Sequence, residues 1–293
     1  MANAINYAER YQTELDQTIT QATLTSQLET PNVNWMGAKT FHVPNLSVTG
    51  YQDHSRNGGF NRGDVSMGEQ VYTLSMDRDV EFFVDRADVD ESNQVASAGN
   101  LTRVFMNEKA GPEIDAYRFS KLATRAGSEG NTKAEAIDAS NVFTRLKADI
   151  KKVRKYGPVN LIAYLSSDAM DALERSEQFV RNINVQNGGT AIETRVTSLD
   201  GVQLVEVWDV DRFNTEHEFT TGFSPSGLDL NWIIVNRGSI ICQTKLNSVY
   251  LFEPGQHTQG DGFLYQNRLY HDLFVLDNKA DGIITSTVEG EAA

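Results

Sequence analysis

The side chains that most often bind metals are present in this sequence, but their spacing does not form a known site. The chain has 293 residues and five histidines, and no histidine pair has the His-x-x-x-His spacing that places two ligands on one helix face. Asp85, Asp88 and Asp90 resemble the acidic start of a calcium loop, yet the glycine and the final glutamate of such a loop are missing. We therefore predict no metal site.

Motifs of nucleotide binding and of nucleophilic catalysis are also missing. The chain has no Gly-x-x-x-x-Gly-Lys phosphate loop and no Gly-x-Ser-x-Gly nucleophile elbow, and Gly260-Asp261-Gly262 is too short a match to a dinucleotide fingerprint. Arg62-Gly63-Asp64 matches an adhesion tripeptide, but it lies in a glycine-rich turn of a chain without a secretion signal. We expect no catalytic residue and no cofactor, with a hydrolase of an unrecognised class as an open alternative.

Cysteine usage, charge and hydropathy exclude several classes of protein. The single cysteine, Cys242, lies in an apolar run, which rules out an intramolecular disulfide and favours a buried thiol. With 40 acidic and 26 basic residues the net charge is −14, so the average field repels DNA and disfavours a sequence-specific DNA-binding protein. No apolar run approaches the roughly 20 residues that cross a bilayer. We expect a chain that is made and used in a cytoplasm, without a membrane.

The first element predicted from the pattern is a helix within residues 3–29. Its apolar positions follow one another at helical steps and form one narrow stripe, which consists of Tyr7, Tyr11, Leu15 and Ile19. Pro31 ends the helical pattern. One narrow stripe cannot form a core alone, so we expect it to pack on the body of the protein or on another copy.

A long two-stranded hairpin is predicted next, with one arm at 39–49 and the other at 70–76. The residues between the arms include five glycines and many charged side chains, a composition typical of a polar tip rather than a core. A two-stranded ribbon of this length is only marginally stable in water. We therefore expect the hairpin to lie on another surface, with its tip acting between subunits.

The remaining pattern predicts a mixed α+β fold. A long helix is expected at 93–126, interrupted by Gly111-Pro112, and a second helix at 141–156 with Ser140 or Asn141 as its cap. The other predicted elements are strands at 159–165, 202–207, 232–241, 246–252 and a last one at 270–276, a helix at 167–176, and exposed loops at 184–190 and 213–228.

The order of these elements resembles the major capsid proteins of tailed phages, a fold shared with herpesvirus floor domains and encapsulins. Four short motifs look like the versions found in phages of Gram-positive bacteria. They are Ile5-Asn6-Tyr7-Ala8, Trp35-Met36-Gly37-Ala38-Lys39-Thr40, Pro112-Glu113-Ile114-Asp115-Ala116-Tyr117 and Phe274-Val275-Leu276-Asp277-Asn278-Lys279. The resemblance covers nearly the whole chain.

The resemblance implies a division of the chain and a set of contact residues. The implied parts are an N-terminal arm at 1–36, an extended hairpin called the E-loop at 37–78, a peripheral domain at 79–156 and 243–293, and an axial domain at 157–242 whose loop 213–228 points at the capsomer axis. The candidate intersubunit contacts are Tyr7, Tyr11, Leu15, Ile19, Asp53, Arg56, Phe60, Arg62, Asp64 and Glu69. Some members of the family join a hairpin lysine to a neighbour's asparagine, and this hairpin has no lysine at its tip.

The implied function is that of a shell subunit rather than an enzyme. Such subunits assemble as hexamers and pentamers into an icosahedral shell around double-stranded DNA, without sequence-specific binding. Further implied partners are a separate scaffolding protein, a portal and head-completion proteins, with assembly in the host bacterial cytoplasm and final location in the virion. An encapsulin-type bacterial compartment and, more distantly, an enzyme of unknown class are the alternatives.

Overall fold

The computed structural model describes residues 23–30, 40–54, 58, 60–91, 98–157, 160–178 and 197–289. Its strands are β1 (Thr40–Val48), β2 (Val65–Thr73), β3 (Met76–Asp85), β4 (Thr132–Ala134), β5 (Leu161–Ser166), β6 (Ser198–Leu199), β7 (Val202–Val207), β8 (His217–Glu218), β9 (Ser224–Pro225), β10 (Leu230–Asn236), β11 (Ile240–Phe252), β12 (Gly262–Val275) and β13 (Ile283–Thr287). Its helices are α1 (Arg86–Glu91), α2 (Ala98–Phe105), α3 (Gly111–Ser128), α4 (Val142–Val153) and α5 (Ser167–Arg175). None of these five helices is long and apolar enough to cross a membrane.

The long helix predicted at 93–126 is α2 and α3 joined by a π-helical turn, Met106–Ala110. Pro112 has no backbone N–H and cannot continue a regular helix from the preceding turn, which explains the wide turn placed just before it. The helix does not break there, because Ala110 and Gly111 keep right-handed helical angles. Within the described residues it begins at Ala98, and it continues to Ser128, two residues beyond the predicted end.

A six-stranded sheet with the order β4-β13-β10-β5-β7-β6 separates two apolar cores. On one face, Phe119 and Leu122 of α3 pack against alternate residues of β5 and β10. On the other face, Leu146 and Ile150 of α4 join Leu173 of α5 over the intervening residues. Four strands of this sheet, β5, β6, β7 and β10, lie within residues 157–242, and β4 and β13 lie outside this range. The division into a peripheral and an axial domain at these positions stays a prediction.

A second sheet, with the order β11-β12-β3, extends from the first and carries the hairpin. Two sequence predictions were wrong here. The apolar run at 232–241 is not one strand, because the turn Arg237–Ser239 directs β10 and β11 into different sheets, and Asn236 accepts a bond from the Gly238 N–H within it. The strand at 270–276 is the end of the much longer β12, and β13 follows it.

Two local predictions also need correction. The helix α4 begins at Val142, and neither Ser140 nor Asn141 caps it with a side chain; instead the Asp138 carboxylate accepts bonds from the Ser140 and Asn141 backbone N–H groups at 2.8 and 3.0 Å. The loop predicted at 213–228 contains a small hairpin, β8 with β9, and is anchored by the buried Phe213. The loop predicted at 184–190 lies outside the described residues.

A buried ionic network fastens residues 23–30 to α3. The Asp115 carboxylate accepts bonds from the Thr25 backbone N–H at 3.0 Å and the Leu24 N–H at 2.9 Å, and lies 3.3 Å from the Arg212 guanidinium. Arg118 donates to the Thr25 carbonyl at 3.2 Å. Asp115, Arg118 and Arg212 are at most 1% exposed, so this segment is an integral part of the fold.

Candidate intersubunit surface

The predicted hairpin is confirmed as β1 paired antiparallel with β2 over nine residue pairs, from Thr40 opposite Thr73 to Val48 opposite Val65. Residues opposite each other in an antiparallel pair point to the same face, and successive pairs alternate between the two faces. The register therefore assigns every side chain of the ribbon to one of two faces. These two faces differ in composition and in what covers them.

One face, which we call the apolar face, is exposed along most of the ribbon. Its pairs include Leu46 opposite Met67, Val48 opposite Val65, and Val71 opposite His42. The exposed fractions are 64% for Leu46, 77% for Met67, 64% for Val48, 69% for Val65 and 57% for Val71. These five side chains share the face with His42 and Glu69, which lie 2.8 Å apart, with Glu69 between Val71 and Met67 along β2. Exposed apolar side chains concentrated on one side of a ribbon are typical of an interaction surface.

The opposite face packs on the body at its root and becomes polar towards the tip. Phe41 and Tyr72 stack with ring centroids 5.5 Å apart, and Phe41 meets the edge of Phe274 from β12 at 5.4 Å. Further out, Ser47 lies opposite Ser66 on this face, and both are exposed. The root of the ribbon is thus bound to its own chain by one face, which leaves the apolar face directed away from that contact.

A polar contact holds the ribbon halfway along. The Gln70 side chain donates to the Asp277 carboxylate at 3.0 Å, and the Arg125 guanidinium at the end of α3 lies 2.6 Å from the other oxygen of Asp277. The Tyr72 hydroxyl donates to the Gln70 side chain at 2.8 Å. Burial raises the pKa of the Tyr72 hydroxyl, so it stays a donor at neutral pH.

The tip of the hairpin carries most of the charged candidates. Asp53, Arg62 and Asp64 are exposed there, and Phe60 is 95% exposed. The ribbon is closed below the tip by Thr49, whose backbone N–H donates to the Asp64 carbonyl at 3.0 Å. The tip therefore extends beyond the paired strands without a core of its own.

The structure places half of the candidate contact residues on one ribbon. Asp53, Phe60, Arg62, Asp64 and Glu69 all lie on the hairpin and are exposed. The other candidates, Tyr7, Tyr11, Leu15, Ile19 and Arg56, lie outside the described residues. A role of these residues in contacts between copies stays a prediction.

Sequence reasoning missed the apolar face itself. It described residues 51–68 as lacking core-forming side chains, whereas Tyr51 is fully exposed in this stretch and Val65 and Met67 alternate with polar residues at its end. The signal was the two-residue period of each strand combined with the pairing register. Without the register, Leu46 and Met67 could not be assigned to the same face.

Two buried titratable groups outside the hairpin are Cys242 and His271. Among the described residues, no group of three or more His, Cys, Asp and Glu side chains could hold a metal ion. Burial raises the pKa of the Cys242 thiol to about 11, so the thiol is protonated and unreactive at neutral pH. Burial lowers the pKa of His271 to about 3. Both groups are buried, Cys242 at 0% and His271 at 1% exposed, on the strands β11 and β12.

A cleft of about 940 Å³ lies between β3, the π-helical turn and residues 220–225. Its Arg78 is held by Glu113 at 2.8 Å and by the Phe219 carbonyl at 3.0 Å. These contacts join β3, α3 and the 213–228 region. The arrangement is that of a packing contact rather than of a charge kept available for a substrate.

Comparison with known proteins adds the identity of the fold. No family model and no curated protein matches the sequence. The structure is similar to that of the mature capsid of bacteriophage PhiM1, with a TM-score of 0.71, 11% identity, and coverage of 98% of this chain and 93% of that chain. It is also similar to the capsid of cyanophage P-SCSP1u, with a TM-score of 0.66, 13% identity and coverage of 96% and 93%. For Mycobacterium phage Bobi the TM-score is 0.64, the identity 16% and the coverage 97% and 96%. The predicted α+β phage capsid fold is confirmed.

Proposed function

We propose that this chain is a major capsid protein that assembles as hexamers and pentamers into an icosahedral shell around a phage genome. The observation that carries the proposal is the apolar face of the hairpin, which the described part of its own chain leaves uncovered. Full burial of one aliphatic side chain contributes about 1.5–3 kcal/mol. A surface of five such side chains is costly to leave in water, so it is best explained by a contact made after folding.

The partner that fits this surface is a second copy of the same chain. The paired part of the ribbon has nine residues on each strand, which at about 3.4 Å per residue gives a reach of roughly 30 Å. A contact in which the ribbon of one copy lies on a different surface of the next copy is heterologous, and heterologous contacts close into rings when the rotation allows. Rings of five and six copies are the units of the proposed shell.

The charge of the chain suits a container for nucleic acid. A net charge of −14 disfavours tight binding of the subunit to DNA, so an enclosed double-stranded genome would be held without sequence-specific contacts. The proposal places the assembled protein in the virion and its assembly in the cytoplasm of the bacterial host. A separate scaffolding protein, a portal and head-completion proteins would be its further partners, and no enzymatic activity is part of the proposal.

Electron microscopy of the concentrated, purified protein tests the proposal directly. The wild-type chain should form closed particles, whereas a variant in which a short turn replaces Asp53–Asp64 should fold but form none. The described residues of the deleted segment contribute no side chain to the buried core, so we expect circular dichroism of the shortened chain to match wild type. Normal particles from the shortened chain would contradict the role of the tip.

The contents of particles isolated from infected or expressing cells separate the alternatives. Particles that contain double-stranded DNA favour a phage capsid. Particles that instead enclose an enzyme would favour a bacterial compartment of the encapsulin type. A small, uniform oligomer that never forms shells at high concentration would leave a protein with a capsid-like fold and a different function.

A further inference from the structure

A buried carboxylate lies at the junction between the hairpin and the body. The strands β2 and β3 are interrupted only by Leu74 and Ser75, where the chain leaves its pairing with β1 and joins β12. The Asp272 carboxylate of β12 lies beside this point and is 1% exposed. It is the group in the best position to decide at what angle the ribbon leaves the sheet.

Asp272 accepts four hydrogen bonds. One carboxylate oxygen accepts from the Ser75 backbone N–H at 2.8 Å and from the Ser75 hydroxyl at 2.9 Å. The other oxygen accepts from the Tyr117 hydroxyl of α3 at 2.9 Å and from the Leu273 backbone N–H at 2.8 Å. A carboxylate with all these donors is fully satisfied, and charge-assisted bonds of this length are stronger than neutral ones.

The same junction receives a second directed bond. The Tyr270 hydroxyl donates to the Leu74 carbonyl at 3.0 Å, so both junction residues are tied to β12. Burial raises the pKa of the Tyr117 hydroxyl, which therefore remains protonated and able to donate. Together these bonds join β12, α3 and the junction in one network.

The other contacts of the ribbon do not fix an angle as strictly. The root cluster of Phe41, Tyr72 and Phe274 is apolar, and apolar contacts are non-directional. The Gln70–Asp277 contact is exposed, where water competes with it. The directional bonds between the ribbon and the body that are at least partly shielded from water lie at the junction, on Asp272 and Tyr270.

We propose that Asp272 is a positioning residue that presets the direction of the hairpin, so that its apolar face meets the next copy in one orientation. The contact with the next copy rests on the proposed function, whereas the role of Asp272 in setting the direction of the hairpin does not. A ribbon held in one direction loses little conformational freedom when it binds, which favours association. A ribbon released at this junction would remain folded and would lose that advantage.

The direction of the hairpin in the free subunit can be measured with two spin labels. Ser47→Cys places one label on the exposed polar side of the ribbon, and Thr124→Cys places the other on the exposed side of α3. The natural Cys242 is fully buried and does not react under native conditions. The labelled wild-type background should give a single narrow distance distribution.

Asp272→Asn is the decisive variant, and Asp149→Asn is its matched control. Asp149 is equally buried and accepts a bond from the Trp232 indole N–H at 3.2 Å, but it belongs to α4, which packs on the opposite face of the six-stranded sheet from α3. We expect Asp272→Asn to lose the narrow distance peak and to form no regular particles. Asp149→Asn should keep the peak even where its unfolding midpoint falls.

The outcomes distinguish this inference from the proposed function. An unchanged narrow peak in folded Asp272→Asn would overturn the positioning role. A wild-type chain that forms no particles would count against the proposed function, while the distance comparison would still decide the inference. If Asp272→Asn does not fold, Tyr117→Phe replaces it, since it removes one of the four bonds and keeps the ring. The same broadening is then expected, and its absence would overturn the inference.

Discussion

The exposed pair at the centre of the apolar face allows the strength of one contact to be predicted. Replacing Leu46 by Asn and Met67 by Gln removes apolar surface and changes the number of heavy atoms in each side chain by at most one. Full burial of such a side chain contributes about 2 kcal/mol. Exposed fractions of 64% and 77% scale this to about 1.3 and about 1.5 kcal/mol. The double variant should therefore weaken each hairpin contact by about 3 kcal/mol, which is roughly 100-fold in affinity.

The neighbouring residues of the same strands provide the control. Ser47→Asn with Ser66→Gln introduces the same two side chains on the opposite, polar face of the ribbon. Light scattering against protein concentration should show the onset of assembly raised roughly 100-fold for the apolar-face variant and unchanged for the control. Both variants should unfold within about 0.5 kcal/mol of wild type, because all four positions are exposed. Equal onset concentrations for the two variants would refute the assignment of the apolar face.

Three further predictions concern stability and cohesion. The pKa of His271 is about 3 in the folded chain and 6.5 in the unfolded chain, so the free energy of unfolding falls as the pH drops from 6.5 towards 3. At pH 5 it should be about 2 kcal/mol lower than at pH 7.5. Urea titrations at these two pH values should show the difference in wild type and not in His271→Gln. Asp115→Ala removes the buried partner of Arg212, so the free energy of unfolding measured in urea should fall by about 3–5 kcal/mol. A loss below about 1 kcal/mol would show that the network is dispensable. The hairpin has no lysine between Lys39 and Lys109, so particles boiled in detergent should run as one band near 32.6 kDa, and a ladder under reducing conditions would contradict non-covalent cohesion.

Local patterns in the sequence were sufficient where the structure is local. The alternation predicted two hairpin arms, but the second arm is Val65–Thr73 rather than 70–76, so residues 65–69 were wrongly assigned to the tip and the predicted arm ran past Leu74 and Ser75 into β3. The Asp200-Gly201 pair predicted the turn before β7. At that turn both residues have positive φ, 51° and 81°, a conformation that glycine and aspartate adopt more readily than most residues. The α5 helix likewise begins after Ser166, whose side chain accepts from the Ala169 N–H at 3.2 Å. In each case the cause and its effect lie within a few residues.

Contacts between distant residues were not predictable in the same way. Met76 pairs with His271 across 195 positions, and Thr25 meets Asp115 across 90, so neither partner leaves a signal near the other. The turn between β10 and β11 was overlooked because apolar residues stand on both sides of it, although Asn236-Arg237-Gly238-Ser239 is polar and contains a glycine, which is a turn signal. The hairpin was recognised from its pattern and its position in the element order, whereas the face that we propose as a contact surface required the register.

The position of β13 in the central sheet has a consequence for synthesis. Ile283–Thr287 lies between β4 and β10, with every residue buried, although it is the last described strand in chain order. A nascent chain that has not yet released residue 287 from the ribosome cannot complete the sheet, however long the earlier parts have had to fold. The hairpin, by contrast, is formed entirely from residues that are made well before β13. Because the body to which it is attached cannot close before β13 is made, the proposed function implies that growing chains on one messenger would not join each other before that point.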